Sequence, residues 1–501
     1  MKKIFLILLV IFNLQAIAQE VSYSSGTEFI NKNGTFKSVI GEDKNSFYVL
    51  RLGTKGSGVQ NNIEKYDRKT FQLEWVKDIS FEKDLGGNIP SGDAFQQSYV
   101  VLSRGKIYFF LSLLETRNNT RSVYSKTMET AKGNILGKAE LLAQESEFKD
   151  VEKLEISFSN DTTLALIKFP FRPKKRIGLT NNFASTTFAC INKVKLFDLK
   201  TNKEIFTKEF PLTDSNGKLG ITSAQTDNNG NLVCIYTHVT SQFEGEKPGI
   251  AKVPVNSTEL TSFDLNLGVN DHAYLISNVL QYDDNFDVAI ITGVFIDVSC
   301  KGKDCRKEGL YYLKVDLNKS KVISAKHTYF DETMHKEYKD LFDPYSDYNR
   351  LYCVTSILDK ATGDVYMISS GMREALFVNR FDKNGEVLWT KIVPRYDTKK
   401  YAYAFKKGSL HIIYLEHPKG MEVEANSATV KSVKSFSAAT GMNVVCMSFS
   451  KDGQAKKTVL FTNERDTANF IPETIDDLSE RSPVYSLKNR DKEKFIRFEF
   501  H

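Results

Sequence analysis

The sequence predicts an all-β fold, a single β-propeller of about seven four-stranded blades with six or eight also compatible, and three observations carry that expectation. Aromatic residues make up 12% of the 501 residues, with 35 Phe and 22 Tyr, and Asn, Asp, Gly and Ser recur at short intervals between apolar runs. Aromatic side chains suit a pleated, half-buried surface, and these turn formers suit hairpins, so the composition asks for many short strands. The other two observations are repeats that run in step along the chain.

The first repeat is a hairpin. YDRKTFQLEWVK from Tyr66 and FDKNGEVLWTK from Phe381 hold the only tryptophans, Trp75 and Trp389. In each, an aromatic-Asp pair ends one strand, a short polar turn follows, and Trp with a Lys two residues later marks the next strand. FDLKTNKEIFTK from Phe197 puts Phe206 and Lys208 in those places, and VDLNKSKVISAK from Val315 keeps Asp316 and Lys326. Fainter copies stand at 262–266 and 449–453, with a degenerate one near 132–134. The Asp positions 67, 198, 264, 316, 382 and 452, with one degenerate copy in the long first gap, give seven units at a spacing of roughly 64 residues.

The second repeat is a polar turn feeding a strongly apolar strand: Asp43-Lys44-Asn45 into SFYVLRL, Arg104-Gly105-Lys106 into IYFFLSLL, Asn160-Asp161 into TTLALIKF, Asn228-Asn229-Gly230 into NLVCIYTHV, Asp283-Asp284-Asn285 into FDVAIITGVF, Thr362-Gly363-Asp364 into VYMISS, and Lys407-Gly408 into SLHIIYL. Strands apolar on both faces are strands sandwiched between sheets. The Asp-bearing strands after them are shorter and more polar, which suits an outer place. Units of about four strands cannot cover both faces alone, so they pack radially until a ring shuts. The segments 484–487 and 494–500 read as a final hairpin completing a blade with strands from residues 21–40. Helix is expected only in short pieces such as 331–341. No Pro-rich or Gly/Ser-rich linker divides the chain, so residues 19–501 read as one domain.

The Asp, turn, Trp and Lys arrangement from Asp67 to Lys77 and from Asp382 to Lys391 resembles the repeat of quinoprotein-like (PQQ-like) and WD40-like propellers of exported bacterial proteins, with Gly385 matching the turn glycine of the former. The resemblance implies the blade over most of the chain. It brings no activity and no cofactor with it, because such folds host many unrelated functions.

The N-terminus has the order of a secretory signal: Lys2 and Lys3, an apolar run from Ile4 to Phe12, then Ala16-Ile17-Ala18 before Gln19. Nine apolar residues fall short of the roughly 20 of a spanning helix, so residues 1–18 are expected to be removed and the remainder to be periplasmic, surface-located or secreted. Without Lys2 and Lys3 the formal charge of +6 falls to +4, which gives no basis for nucleic-acid binding. Alternation of apolar and polar residues, required of a membrane β-barrel, is missing from IYFFLSLL and VAIITGVF.

Of six cysteines, Cys190, Cys234, Cys353 and Cys446 sit in apolar strand-like runs, as buried free cysteines do. Cys300 and Cys305 flank a polar loop that would bring them within disulfide range, the best local candidate for a staple; two sulfurs alone make a poor zinc site. The seven histidines form no HExxH pattern, and His411 and His417 are about 20 Å apart along a strand, too far to share a metal. There is no P-loop, nucleophile elbow or dinucleotide fingerprint. Ser-x-x-Lys at Ser80 and Lys83, Ser103 and Lys106, and Ser215 and Lys218 lacks the companion motifs of serine acyl-transferases, and Ser and Lys are simply common here. The basic run Arg172, Lys174, Lys175 and Arg176 reads as a solvated loop, or as a contact for an anionic ligand. The function expected is therefore a non-enzymatic binding or scaffold propeller recognising protein or polysaccharide at the cell envelope. The alternative is a glycan-acting hydrolase or lyase using carboxylates at the central channel, with Asp283, Asp284 and Asp287 the first candidates. Such a pair would stand roughly 5 to 9.5 Å apart.

Overall fold

The computed structural model describes residues 21–501 apart from 53–59, 82–83, 86–93, 116–119, 147–153, 172–189, 211–217, 240–247, 258–260, 265–272, 284–286, 298–306, 331–351, 371–374, 395–400, 417–440, 471–474, 479–482 and 490. All regular structure among the described residues is β-strand. The first blade is Thr35–Glu42, Ser46–Leu52, Gln60–Asp67 and Leu73–Ser80, hydrogen-bonded side by side in chain order. The same antiparallel order recurs over residues 94–145, 155–209, 218–264, 273–329, 352–394 and 401–462, which are blades 2 to 7. First strands of blades 1 and 2, 3 and 4, and 5 and 6 approach one another, which sets them around the axis.

Burial follows radius. The second strand of each blade is the apolar run of the sequence: Ser46–Leu52 is buried except for Leu52, and Val365–Ser370 is buried throughout. Fourth strands are wet, Ile135–Glu145 and Lys203–Glu209 being largely exposed. Asp67, Asp198 and Asp316 end third strands and Asp382 and Asp452 fall in the turns that follow them, while Trp75 and Trp389 with their lysines lie on fourth strands. An outermost strand leaves a free backbone edge that could recruit another chain, and lysines such as Lys77, Lys208, Lys326 and Lys391 charge that edge. The tryptophans work between blades. The Gly133 turn of blade 2 lies on Trp75 of blade 1, and the Gly453 turn of blade 7 lies on Trp389 of blade 6. A Cβ at Gly133 would come 2.7 Å from Lys77 and 3.3 Å from Trp75, and one at Gly453 2.8 Å from Trp389. Both glycines also have positive φ, 68° and 80°, so only a residue without a side chain fits freely.

Eight apolar clusters join the blades, one for every neighbouring pair. Seven of them link blades 1 to 7 in order and to the terminal hairpin, and the eighth returns from that hairpin to blade 1. The fold is a closed β-propeller of eight blades. Eight is one of the counts the expectation of about seven left open, and the repeats fall one short of it for a specific reason: seven blades are continuous in sequence, while the eighth is assembled from both ends and has no Asp hairpin. Its hairpin is Val484–Asn489 with Lys492–Phe500; Val21–Ser25 and then Phe29–Ile30 pair along the outer edge of the latter. On the inner edge, Asn469 bridges to Lys488. Of the residues 21–40 expected in that blade, only those up to Ile30 belong to it; Thr35–Glu42 is the first strand of blade 1. The faint copy at 262–266 is also out of step, since Asp264 ends the fourth strand Thr261–Asp264 of blade 4, not its third. The expected helix at 331–341 and the segment 1–18 lie outside the described residues.

The last strand is keyed on both faces. Toward blade 7 it presents Ile496 and Phe498, packed with Phe470 and Tyr485. Toward blade 1 it presents Glu493, Phe495 and Arg497. Phe495 meets Tyr66 and Phe47 edge-on at ring distances of 4.7 and 5.3 Å. On one side of it Glu493 takes a 2.7 Å bond from Arg51, which also holds Glu64 at 2.5 Å; on the other, Arg497 lies 2.8 Å from Glu42. Ser486 and Tyr66 donate to Glu493 and Glu64, so the buried carboxylates are further satisfied. Burial opposes the Arg51 charge, yet the Glu493 and Glu64 carboxylates more than offset it and hold the guanidinium protonated more firmly than usual. Removing one member of such a buried set strands the others. Arg51→Met is expected to lower stability by about 3 to 5 kcal/mol in urea unfolding. The exposed pair Lys319 and Asp316 serves as control, with Lys319→Met costing less than about 1 kcal/mol.

Candidate functional site

An antiparallel blade has two unlike ends. Turns from the first to the second strand and from the third to the fourth leave on one face of the ring. Connections from the second to the third strand, and from each fourth strand to the next blade, leave on the other. The first face is built of tight turns, several of them capped by aspartate. Asp67 accepts from the Lys69 and Thr70 amides at 2.9 and 2.7 Å, Asp227 from Asn229 and Asn231, and Asp382 from Asn384 and Glu386. The Thr70 amide and hydroxyl hold the Asp67 carboxyl below its ordinary value. The strand ends that flank residues 172–189, 331–351 and 417–440, which lie outside the described residues, open on the second face.

Asp283 and Asp287 lie on the tight-turn face, between the first two strands of blade 5. Asp283 accepts from the Asp287 and Val288 amides at 2.7 and 3.0 Å, and Asp287 accepts from Asn318 at 2.7 Å with Lys252 at 3.6 Å. Their carboxylates serve the turn and the junction with blade 4. Asp284, Cys300, Cys305, Arg172, Lys174, Lys175 and Arg176 lie outside the described residues, as does His417. Cys234 and Cys446 are buried and free, and burial pushes the Cys234 thiol up to about 12. Among the described residues, no group of three His, Cys, Asp or Glu could hold a metal ion.

His411 belongs to the core. It is 2% exposed, its Nδ1 is 2.8 Å from the Ser448 hydroxyl, and its ring packs on Phe500 of the closing strand.

One indentation on the tight-turn face gathers unpaired polar groups. It has a volume of about 260 Å³ and lies between Ser103–Lys106 of blade 2 and the turns around Thr163 and Lys200 of blade 3, with Tyr108 and Leu199 beneath. Arg104 and Gly105 both have positive φ, 48° and 74°, in a two-residue hairpin whose flanks, Ser103 and Lys106, pair directly. Thr130 clamps the hairpin, its amide and hydroxyl both donating to the Gly105 carbonyl at 3.1 and 2.8 Å. Across the junction the Thr162 hydroxyl donates to the Leu102 carbonyl at 3.2 Å, and the Leu199 amide to the Thr163 carbonyl at 3.0 Å. Sequence reasoning missed this site: Arg104-Gly105-Lys106 was read only as a turn and Ser103 with Lys106 only as a chance motif. The signal was available in the alignment of blades 1 and 2. Asp43 stands five residues before Tyr48, and the Tyr48 hydroxyl donates to it at 2.6 Å; Ser103 stands at the same distance before Tyr108.

No family model and no curated relative matches the chain. Solved structures similar to it include the Dos1 propeller, 10% identical over 95% of each chain at a TM-score of 0.45. Another is the β-propeller domain of the Trilobed protease from Pyrococcus furiosus, 11% identical over 90% of this chain and 98% of that one, TM-score 0.36. A europium-containing methanol dehydrogenase is 8% identical over 80% and 83%, TM-score 0.34. These likenesses are distant, and the ring stands on its own eight interfaces.

A pH dependence follows from His411. Burial lowers its imidazole from 6.5 to about 4. Between those values the unfolded chain binds the proton and the folded chain does not, so the contribution is complete above 6.5 and is lost as pH falls toward 4. The loss amounts to about 3 kcal/mol. Urea unfolding at pH 7 and pH 4.5 should show a smaller drop for His411→Gln than for the wild type.

Proposed function

We propose that the chain is an exported, non-enzymatic binding propeller that holds protein or polysaccharide at the cell envelope through the connections of its long-loop face. One observation supports the reading above others: the connections at 172–189 and 417–442 join adjacent antiparallel strands, where two to five residues suffice. Fourth-to-first connections must cross from the rim of one blade to the axis of the next and need length for that alone. Within-blade hairpins have no such need, and long loops on a rigid scaffold are where binding surfaces are placed. The four basic residues of 172–189, with no acid among them, suit an acidic polymer.

The test is a paired assay on the chain from residue 19, measuring saturable binding to purified envelope polysaccharides and envelope proteins and, in parallel, release of reducing ends. The reading expects binding without cleavage. Replacing 172–189 by Asn-Gly should weaken it at least about tenfold, the scale of a few lost charge-assisted contacts, while the urea midpoint stays in place. New reducing ends would establish the hydrolase or lyase alternative, and binding indifferent to the replacement would remove this face from the account.

A further inference from the structure

We infer that the indentation between blades 2 and 3 is a binding site for a single oxyanion group, a sulfate, phosphate or carboxylate. It lies on the face opposite the long connections, so the inference stands or falls apart from the function proposed above.

Arg104, Lys106 and Lys200 border the indentation, and none of their side chains has an ion-pair or hydrogen-bond partner among the described residues. Several lysines elsewhere on the ring have one: Lys65, Lys126, Lys193, Lys252, Lys326 and Lys457 each lie within 3.6 Å of a carboxylate. The second group is Tyr108. It is 5% exposed, lines the indentation, and makes no hydrogen bond among the described residues. Its ring is packed away while the residue borders the open indentation, so the hydroxyl is available to donate to water or to a ligand there. In blade 1 the matching hydroxyl is taken up by Asp43. Serine in place of that aspartate leaves the Tyr108 hydroxyl to donate to a negative group from outside.

Two carboxylates nearby could have neutralised the cations. Both are fixed in place by their own turns and form no ion pair with these cations, although the Arg104 charge helps to hold Asp161 ionised. Asp161 accepts from the Thr163 amide and hydroxyl at 3.1 and 2.8 Å and from the Ser159 hydroxyl at 2.8 Å. Asp198 accepts from the Lys200 amide at 2.9 Å and the Thr201 hydroxyl at 3.0 Å. Three cationic residues and one neutral donor thus line a space too small for a drug-sized molecule and sufficient for a tetrahedral or planar oxyanion. Burial, then Asp198, raises the Tyr108 phenol above its ordinary value while Arg104 opposes them, so the hydroxyl remains a donor. The frame is already set by the Thr130, Thr162 and Leu199 hydrogen bonds, and little ordering is left to oppose binding.

Calorimetric titration of the chain from residue 19 with sodium sulfate, sodium phosphate and sodium glucuronate, at ionic strength held constant with chloride, tests the site. At least one anion should bind saturably with one-to-one stoichiometry, and which one does identifies the oxyanion. Arg104→Ala and Lys200→Ala should each weaken it about tenfold, and Tyr108→Phe about fivefold, on the scale of one charge-assisted or neutral hydrogen bond. Arg104 and Lys200 are exposed, so their variants should keep the wild-type urea midpoint; where Tyr108→Phe shifts it, those two variants decide alone. No saturable heat with any of the three anions, or equal affinity in wild type, Arg104→Ala and Lys200→Ala, would overturn the inference.

Discussion

The whole ring depends on its last strand. Lys492–Phe500 must be apolar toward blade 7 and charge-matched toward blade 1, and alternation of side chains along a strand lets it be both. Ile496 and Phe498 serve one neighbour; Glu493, Phe495 and Arg497 serve the other. Opposite charges at the two ends of the blade 1 contact also fix the register. A slip of two residues would keep the same face toward blade 1 and yet bring Phe495 to Arg51 or to Glu42, leaving a buried charge unmatched. A hydrophobic strip alone would tolerate such a slip. The N-terminal strand then adds to an edge already positioned, which is how residues more than 440 apart in the chain come to share a sheet.

Between the continuous blades, closure is achieved with fewer charges and more shape. The Trp-x-Lys signature is the visible part of it. The indole of one blade receives the glycine turn of the next, and the lysine beyond it guards the free outer edge. One short motif therefore does two jobs, packing blades laterally and discouraging sheets of different molecules from joining. Blades without tryptophan solve the same contact with other rings: Gly385 of blade 6 lies on Tyr312 of blade 5, a Cβ there coming 2.4 Å from the tyrosine ring.

These contacts explain what could be read in the sequence. Apolar second strands and Asp-Trp-Lys hairpins are local, each fixed by residues within about a dozen positions, and both were legible. The degenerate copy at 132–134 was placed correctly because Gly133 keeps its turn even where its Asp is lost. Blade count was harder, since the eighth blade has no local signature and exists only through pairing of distant ends. Asp264 misled for the opposite reason: an aromatic-Asp pair ends a strand there, but the fourth rather than the third. The indentation at blades 2 and 3 was hidden because its parts, Arg104, Lys106 and Tyr108 with Lys200, meet only when two blades pack. Only the substitution of Ser103 at the place of Asp43 hinted at it.

The division of the ring into unlike faces is a consequence of connecting antiparallel blades by one chain. Hairpins confined to one face can be tight, and there aspartate is the economical residue, because its carboxylate replaces the hydrogen bonds that a turn leaves open. Aspartates such as Asp67, Asp161 and Asp382 are held ionised by the turns they cap, so their charge is fixed in place at the turn. Against that background a hairpin of Arg and Gly flanked by Ser and Lys stands out electrostatically. The cations there have no local turn to serve, since the two-residue hairpin is satisfied by its own positive φ angles and by Thr130. The backbone does not require the side chains of Arg104 and Lys106, and neither forms an ion pair within 4 Å among the described residues, Arg104 reaching blade 3 only through the field it exerts on Asp161; that freedom distinguishes a binding turn from a structural one.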